Sequence, residues 1–231
     1  MEARKRIPAV DRKHEILVSS LHVFAQRGFD GATTKDLAKA AGVSEALLYR
    51  HFPTKEAIYN DLVTLLGSTK EVVIRRLTQD EPSTAAFVRT FFVLARVIIL
   101  GQPGRPKDVS IDRLMGQSLL GDGAFAAAIL DSLFVPMVPY LSQCLDLARE
   151  SGEVEGRDAS PHRLCFLFHH FLGAIALYSL PKTPLLPYDD ADQMLHDVVR
   201  FAFRGVGFTE TALDIHLDFA RLKSECASLL K

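Results

Sequence analysis

The sequence predicts an all-α protein in two parts, three short N-terminal helices followed by a larger helical body. Three observations carry that prediction. Apolar residues recur at the spacing of one helical face, and no segment sustains the period-2 alternation of a half-buried strand. Gly, Pro and Ser clusters interrupt the helical pattern repeatedly. The formal net charge of −1 is also unevenly spread. Residues 1–55 hold 10 Lys+Arg against 6 Asp+Glu, whereas the remaining 176 hold 17 against 22.

From Asp11 to Arg27, Leu17, Leu21, Phe24 and Ala25 fall on one face, and Gly28 stops the helix. Thr33 or Thr34 can cap a second helix to about Ala41, with Asp36 in its first turn. Gly42-Val43 forms a tight turn, Ser44 caps a third helix over Glu45–His51, and Phe52-Pro53 breaks it. Thr54 caps a long fourth helix from Lys55 to about Thr78. Beyond it, turn signals predict helices near 84–100, 108–120, 123–150, 161–179, 190–204 and 210–230. Pro136 and Pro139 should kink or split the third of these. The domain division is set at 1–55 and 56–231.

Composition narrows the function. A hydrophobic fraction of 48% and a charged fraction of 24% suit a chain with a packed core. The apolar run around Phe87–Leu100 is interrupted by Arg89 and Arg96 and is short for a bilayer, so no membrane span is expected. No apolar segment follows the basic N-terminus, which argues against a secretory signal and for a cytoplasmic protein. The 3 cysteines give neither a disulfide framework nor a CxxC zinc signature. The segment Gly116-Gln117-Ser118 lacks the closing Gly of a nucleophile elbow, and there is no P-loop, GxGxxG or HExxH, so no enzyme is expected.

The most informative window is residues 12–60. Its second and third helices, joined by a turn containing Gly42, make a helix-turn-helix in which Leu37, Ala38, Ala41, Val43 and Leu48 are buried. Phe24-Ala25, Arg27-Gly28-Phe29, Thr33-Thr34, Leu37-Ala38, Ala41-Gly42-Val43-Ser44, Leu48-Tyr49, His51-Phe52 and Lys55-Glu56 together resemble the DNA-binding domain of the TetR (tetracycline-repressor-like) family. The resemblance implies that the helix of Glu45–His51, including Ser44, Ala46 and Leu47, meets the major groove. It implies phosphate contacts from Tyr49, His51 and Lys55, and from the helix start at Thr33 and Thr34. Lys35 would reach a base edge or a phosphate. Arg4, Lys5 and Arg6 form either a basic arm on the adjacent groove or a solvated tail. Glu45 either accepts from a cytosine amine or only favours the positive end of its helix. Leu47 either meets a thymine methyl or packs inward.

The family resemblance also implies a homodimer on a palindromic operator and a sensor domain for a small apolar or amphipathic effector, with repression the expected outcome. The pocket would be lined by Phe87, Phe91, Leu94, Ile98, Leu114 and Met115, together with Phe125, Phe134, Met137, Tyr140, Phe168 and Leu172. For each of these residues, simple core packing is the rival reading. Dimer contacts are expected from Phe166, His169, His170, Gly173, Ala174 and Leu177 on one helix, and from Leu195, Val198, Val199, Phe201 and Ala202 on the next. His162, Cys165 and His169 share a helix face with zinc-compatible spacing, but a core or interface cluster is the simpler reading, and neither metal nor cofactor is expected. The alternative function is a helical adaptor without specific DNA binding, which would lack the steep salt dependence of phosphate contacts.

Overall fold

The computed structural model describes residues 9–156, 159–183, 188 and 190–230. The expected basic arm, Arg4, Lys5 and Arg6, lies outside them. The helices are α1 (Ala9–Gly31), α2 (Thr34–Ala40), α3 (Glu45–His51), α4 (Lys55–Thr78), α5 (Thr84–Leu100) and α6 (Ser110–Leu120). They continue with α7 (Ala124–Leu133), α8 (Val138–Glu150), α9 (Pro161–Tyr178), α10 (Ala191–Val206), α11 (Glu210–His216) and α12 (Phe219–Leu229). Among the described residues, extended pairing is limited to a single bridge between Val154 and Phe208.

The chain divides into two compact units, Met1–Thr69 with Val109–Leu130, and Lys70–Asp108 with Asp131–Lys231. This differs from a cut at residue 55, because the first unit recruits α6 and most of α7 from later in the chain.

In the first unit, Gly28 breaks α1 by adopting φ 71° and ψ 176°, after which one further helical turn runs to Gly31. Ile16, Leu17, Leu21 and Phe24 face inward with Leu37, Leu48, Phe52, Ile58 and Leu62. Helix α6 packs on α1, where Gln117 Nε2 donates to the Ala25 carbonyl at 3.2 Å. Tyr59 stands between Phe24 and Phe125, with ring centroids 5.1 and 5.8 Å away.

In the second unit α5 is the central element, buried along most of its length and contacted by α8, α9, α10, α11 and α12. Ser83 caps it by accepting from the Ala86 N–H at 3.2 Å. Glu153 ties the unit together by accepting from Thr84 Oγ1, His216 Nε2 and Ser151 Oγ. Burial alone would raise the pKa of this carboxyl, but those donors outweigh it and hold it below the ordinary glutamate value.

One expectation about helix extent is corrected and another, the split at Pro136 and Pro139, is met. The C-terminal segment 210–230 is two helices, because Asp218 caps α12 by accepting from the Arg221 N–H at 3.0 Å. The stretch Ala124–Glu150 is apolar and long enough by composition to cross a membrane. A one-turn 3-10 segment, Val135–Met137, divides it into helices of 10 and 13 residues. Pro136 and Pro139 are the second residues of the 3-10 turn and of α8, within the first turn where a missing N–H costs least. Neither helix alone reaches the roughly 20 residues a bilayer requires.

Candidate nucleic-acid interface

Helix α2 begins with a reciprocal cap. The Thr33 side chain accepts from the Asp36 N–H at 3.2 Å, and the Asp36 carboxylate accepts from the Thr33 N–H at 3.2 Å. Asp36 also receives the Thr33 hydroxyl and Arg27 Nη1 at 2.6 and 2.8 Å. These donors, the Thr33 hydroxyl foremost, depress its pKa. Gly42 takes φ 64°, a left-handed conformation that lets the Val43 N–H return to the Ala38 carbonyl at 3.0 Å. Ser44 then caps α3 by accepting from the Leu47 N–H at 3.2 Å.

That turn fixes which face of α3 looks outward. Leu48 is fully buried and Leu47 half-buried, while Ser44, Glu45, Ala46 and Tyr49 are exposed. Lys35 and Thr33 are exposed on the adjoining α2, with Thr34 and His51 half-buried. The Tyr49 hydroxyl donates to Thr34 Oγ1 at 3.2 Å, and the Thr34 hydroxyl donates to Glu45 Oε2 at 3.3 Å. The exposed edge is therefore a connected chain that runs from a carboxylate through a hydroxyl to a phenol.

Lys55 is placed differently from a free phosphate ligand. Its ammonium donates to the carbonyls of Phe29 and Ala32 at 2.7 and 3.1 Å, and lies 4.3 Å from the Phe29 ring centroid. Two of its three N–H bonds are committed to the α1–α2 connection, leaving one for a phosphate. Sequence spacing could not reveal this clip, because its partners lie 26 and 23 residues away.

Comparison with known proteins adds the family. Residues 16–62 match the bacterial regulatory proteins of the tetR family. A nucleoid occlusion factor, SlmA of Shewanella sp. (strain W3-18-1), is 30% identical over 151 residues, 65% of this chain and 72% of that protein. SlmA of Enterobacter sp. (strain 638) is 32% identical over 156 residues, 67% of this chain and 74% of that protein. This chain belongs to the tetR family of bacterial regulatory proteins. It is a DNA-binding regulator and not an enzyme. Solved structures share the fold. The ketosteroid transcriptional regulator KstR2 of Mycobacterium tuberculosis has TM-score 0.63 at 16% identity, covering 88% of this chain and 98% of that one. AibR, solved with isovaleryl coenzyme A and operator DNA, has TM-score 0.62 at 20% identity, covering 82% and 97%.

Within this tetR-family chain, the expected pocket residues are distributed over both units. Leu114, Met115 and Phe125 belong to the first unit, and the other nine to the second. There Phe87, Phe91 and Phe168 are buried against one another, with centroids 4.7 Å apart for Phe87–Phe91 and 4.1 Å for Phe91–Phe168. Phe203 and Phe208 extend this stack. Leu172 and Met137 are also buried, Phe134 lies on His169, and Leu94, Ile98 and Tyr140 are half-buried. A shallow recess lined by Pro82, Gln143, Asp146, Leu147 and Glu150 shares no residue with the expected lining.

The expected dimer residues divide by face. On α10, Leu195, Val198, Val199 and Ala202 point into their own unit, and Phe201 is 68% exposed. The helical period forces this division, since positions 195, 198, 199 and 202 share one stripe. On α9, His170 and Ala174 are exposed, and Phe166, His169, Gly173 and Leu177 half-buried. Leu167 and Tyr178, absent from the expected set, are 61% and 60% exposed. Their i, i+4, i+7, i+11 spacing with Phe171 and Ala174 was the available signal. His162 meets Phe166 edge to face, Cys165 is fully buried, and among the described residues no group of three His, Cys, Asp or Glu is arranged to hold a metal.

Proposed function

We propose that this protein is a one-component transcriptional repressor, binding a palindromic operator as a homodimer and released by a small effector. The observation that carries the reading is the outward face of α3, where Glu45, Ala46 and Tyr49 are exposed over a buried Leu48. Thr33, Thr34 and Lys35 on α2, with Ser44, Leu47, His51 and the remaining Lys55 donor, supply the surrounding phosphate and groove contacts. The exposed apolar side chains of Leu167, Tyr178 and Phe201 support dimerisation, with the half-buried Phe171 ring 5.5 Å from that of Phe201. A dimer supplies the second reading head that one short recognition helix needs. The second unit is the sensor, its effector an apolar or amphipathic molecule, and the protein works in the cytoplasm, where its DNA is.

A second reading has its own support in the relatives named nucleoid occlusion factors. In it, the same reading head binds many sites spread along the chromosome. Selection of genomic fragments by the purified protein at near-physiological salt tests both. A palindrome beside one or a few genes supports the repressor, and the same palindrome at many dispersed sites supports the second reading. Affinity that is independent of sequence and nearly flat in salt overturns both.

A further inference from the structure

We propose that Arg89 and Tyr140 form the polar end of an effector site that receives an oxyanion, a carboxylate or a phosphate, carried on an apolar body. This rests on the reading of the second unit as the sensor and names the chemical class it senses.

Arg89 projects from α5, the central helix of that unit. Its Nη1 reaches Asp80 Oδ2 at 2.7 Å, and the side chain is 20% exposed. The opposite edge of the guanidinium points inward. Its Nε and Nη2 atoms are enclosed and, among the described residues, meet no acceptor. Tyr140, on α8, encloses its hydroxyl in the same way. Helices α5 and α8 pack on each other, and the charge of Arg89 acts on both Tyr140 and Cys144, so the three groups share one neighbourhood. The polar neighbour of the phenol there is the Cys144 thiol, a weak acceptor that can take its proton but cannot satisfy a guanidinium.

The result is an interior excess of donors. Nε–H and Nη2–H form the edge of arginine whose two parallel bonds match two oxygens of a carboxylate or phosphate, and the Tyr140 hydroxyl adds a third donor. The Asp80 carboxylate occupies the other edge, so the pair keeps its outer ion pair while the inner fork is unused. Two other half-buried arginines of the unit donate to backbone carbonyls, although Arg149 Nε is likewise enclosed without a partner among the described residues. Arg96 donates to the Gly101 carbonyl, and Arg149 donates to the Ala159 carbonyl and approaches Asp146. At Arg89 both atoms of the inner edge, Nε and Nη2, are without an acceptor among the described residues. Near it along the chain, Val88 and Phe92 on α5, and Leu141 next to Tyr140 on α8, are buried apolar residues, which suits a ligand whose acid group ends a hydrocarbon body.

The test observes the Arg89 Nε–H directly. Its NMR resonance is identified in the full-length protein by its loss in Arg89→Lys, and is followed during titration with octanoate, octyl phosphate and octan-1-ol. A saturable downfield shift with octanoate supports a carboxylate site, and one with octyl phosphate a phosphate site. Affinity for that probe should fall about tenfold or more in Arg89→Gln. Tyr140→Phe, which keeps the ring, should lose a smaller factor. An Arg89 resonance unmoved by both acids up to millimolar concentrations overturns the inference, whether or not Arg89→Gln folds. Octan-1-ol releasing operator DNA with Arg89 unmoved also overturns it, while leaving the sensor reading intact. A shift of Arg89 with no change in operator affinity supports the oxyanion site and removes the sensor reading instead.

Discussion

Replacing Lys55 with Met separates two roles that a phosphate-contact reading combines. Methionine keeps an apolar stem over the Phe29 ring but removes the ammonium that joins the carbonyls of Phe29 and Ala32. Hydrogen bonds to a charged donor contribute about 1.5–3 kcal/mol each, and a half-buried site belongs at the lower end. The cation–π contact adds about 0.5–1 kcal/mol. The local loss is therefore about 3–4 kcal/mol, which is roughly two to three decades in the local opening equilibrium. The affected segment leads directly into the Thr33 cap, so α2 loses its anchor to α1 as well.

Hydrogen exchange reads this effect by position. Amides from Phe29 to Leu37 in Lys55→Met should exchange roughly a hundredfold or more faster, while those of α5 and α9 keep their protection. Operator affinity should fall further than the loss of one phosphate contact explains. Unchanged protection at 29–37, together with a salt slope reduced by about one, would refute the clip and return Lys55 to a purely solvent-facing phosphate ligand.

Three further outcomes are expected. Glu45→Ala should relax selection at one symmetry-related pair of operator positions and raise affinity for other sequences, because a carboxylate beside phosphates is tolerated only where a base amine meets it; unchanged selection counts against base reading by Glu45. Phe201→Asp should give a folded monomer in sedimentation and sharply weaken operator binding, and an intact dimer would move the interface elsewhere. His169 is held neutral, its pKa lowered from 6.5 to about 4 by burial first and by His170 second. The unfolded chain therefore binds the extra proton, and stability should fall as pH drops from about 6.5 toward 4, by on the order of 3 kcal/mol per protomer. Urea unfolding across that range should lose most of this slope in His169→Gln.

What the sequence could reveal follows from the range of each interaction. Caps, turns and helical faces are decided within about four residues, so Thr33, Ser44, Ser83, the Gly28 break and the Gly42 turn can all be read from neighbours. The split between α11 and α12 was also within that range, but the capping Asp218 lies inside an otherwise continuous apolar pattern. The inward face of α10 was legible in the same way. Naming Leu195, Val198, Val199 and Ala202 as dimer contacts assigned to a partner a stripe that its own unit already buries.

Interactions that span the chain were not legible. Lys55 reads as one more cation beside a helix start, and only the folded connection brings two carbonyls to it. Arg89 looked like the charge that interrupts an apolar run, evidence against a membrane span and nothing more. In the fold, the same interruption becomes a half-buried arginine whose inner edge is an unused fork. The aromatic residues expected to surround an effector instead stack on one another through Phe87, Phe91, Phe168 and Phe203. An apolar body can enter there only if those rings move apart, whereas an acid group finds donors already in place at Arg89. Recognition would then begin at the charge and end with the rings yielding, and α5, which carries Phe87, Phe91 and Arg89 alike, is the element through which the two events are coupled.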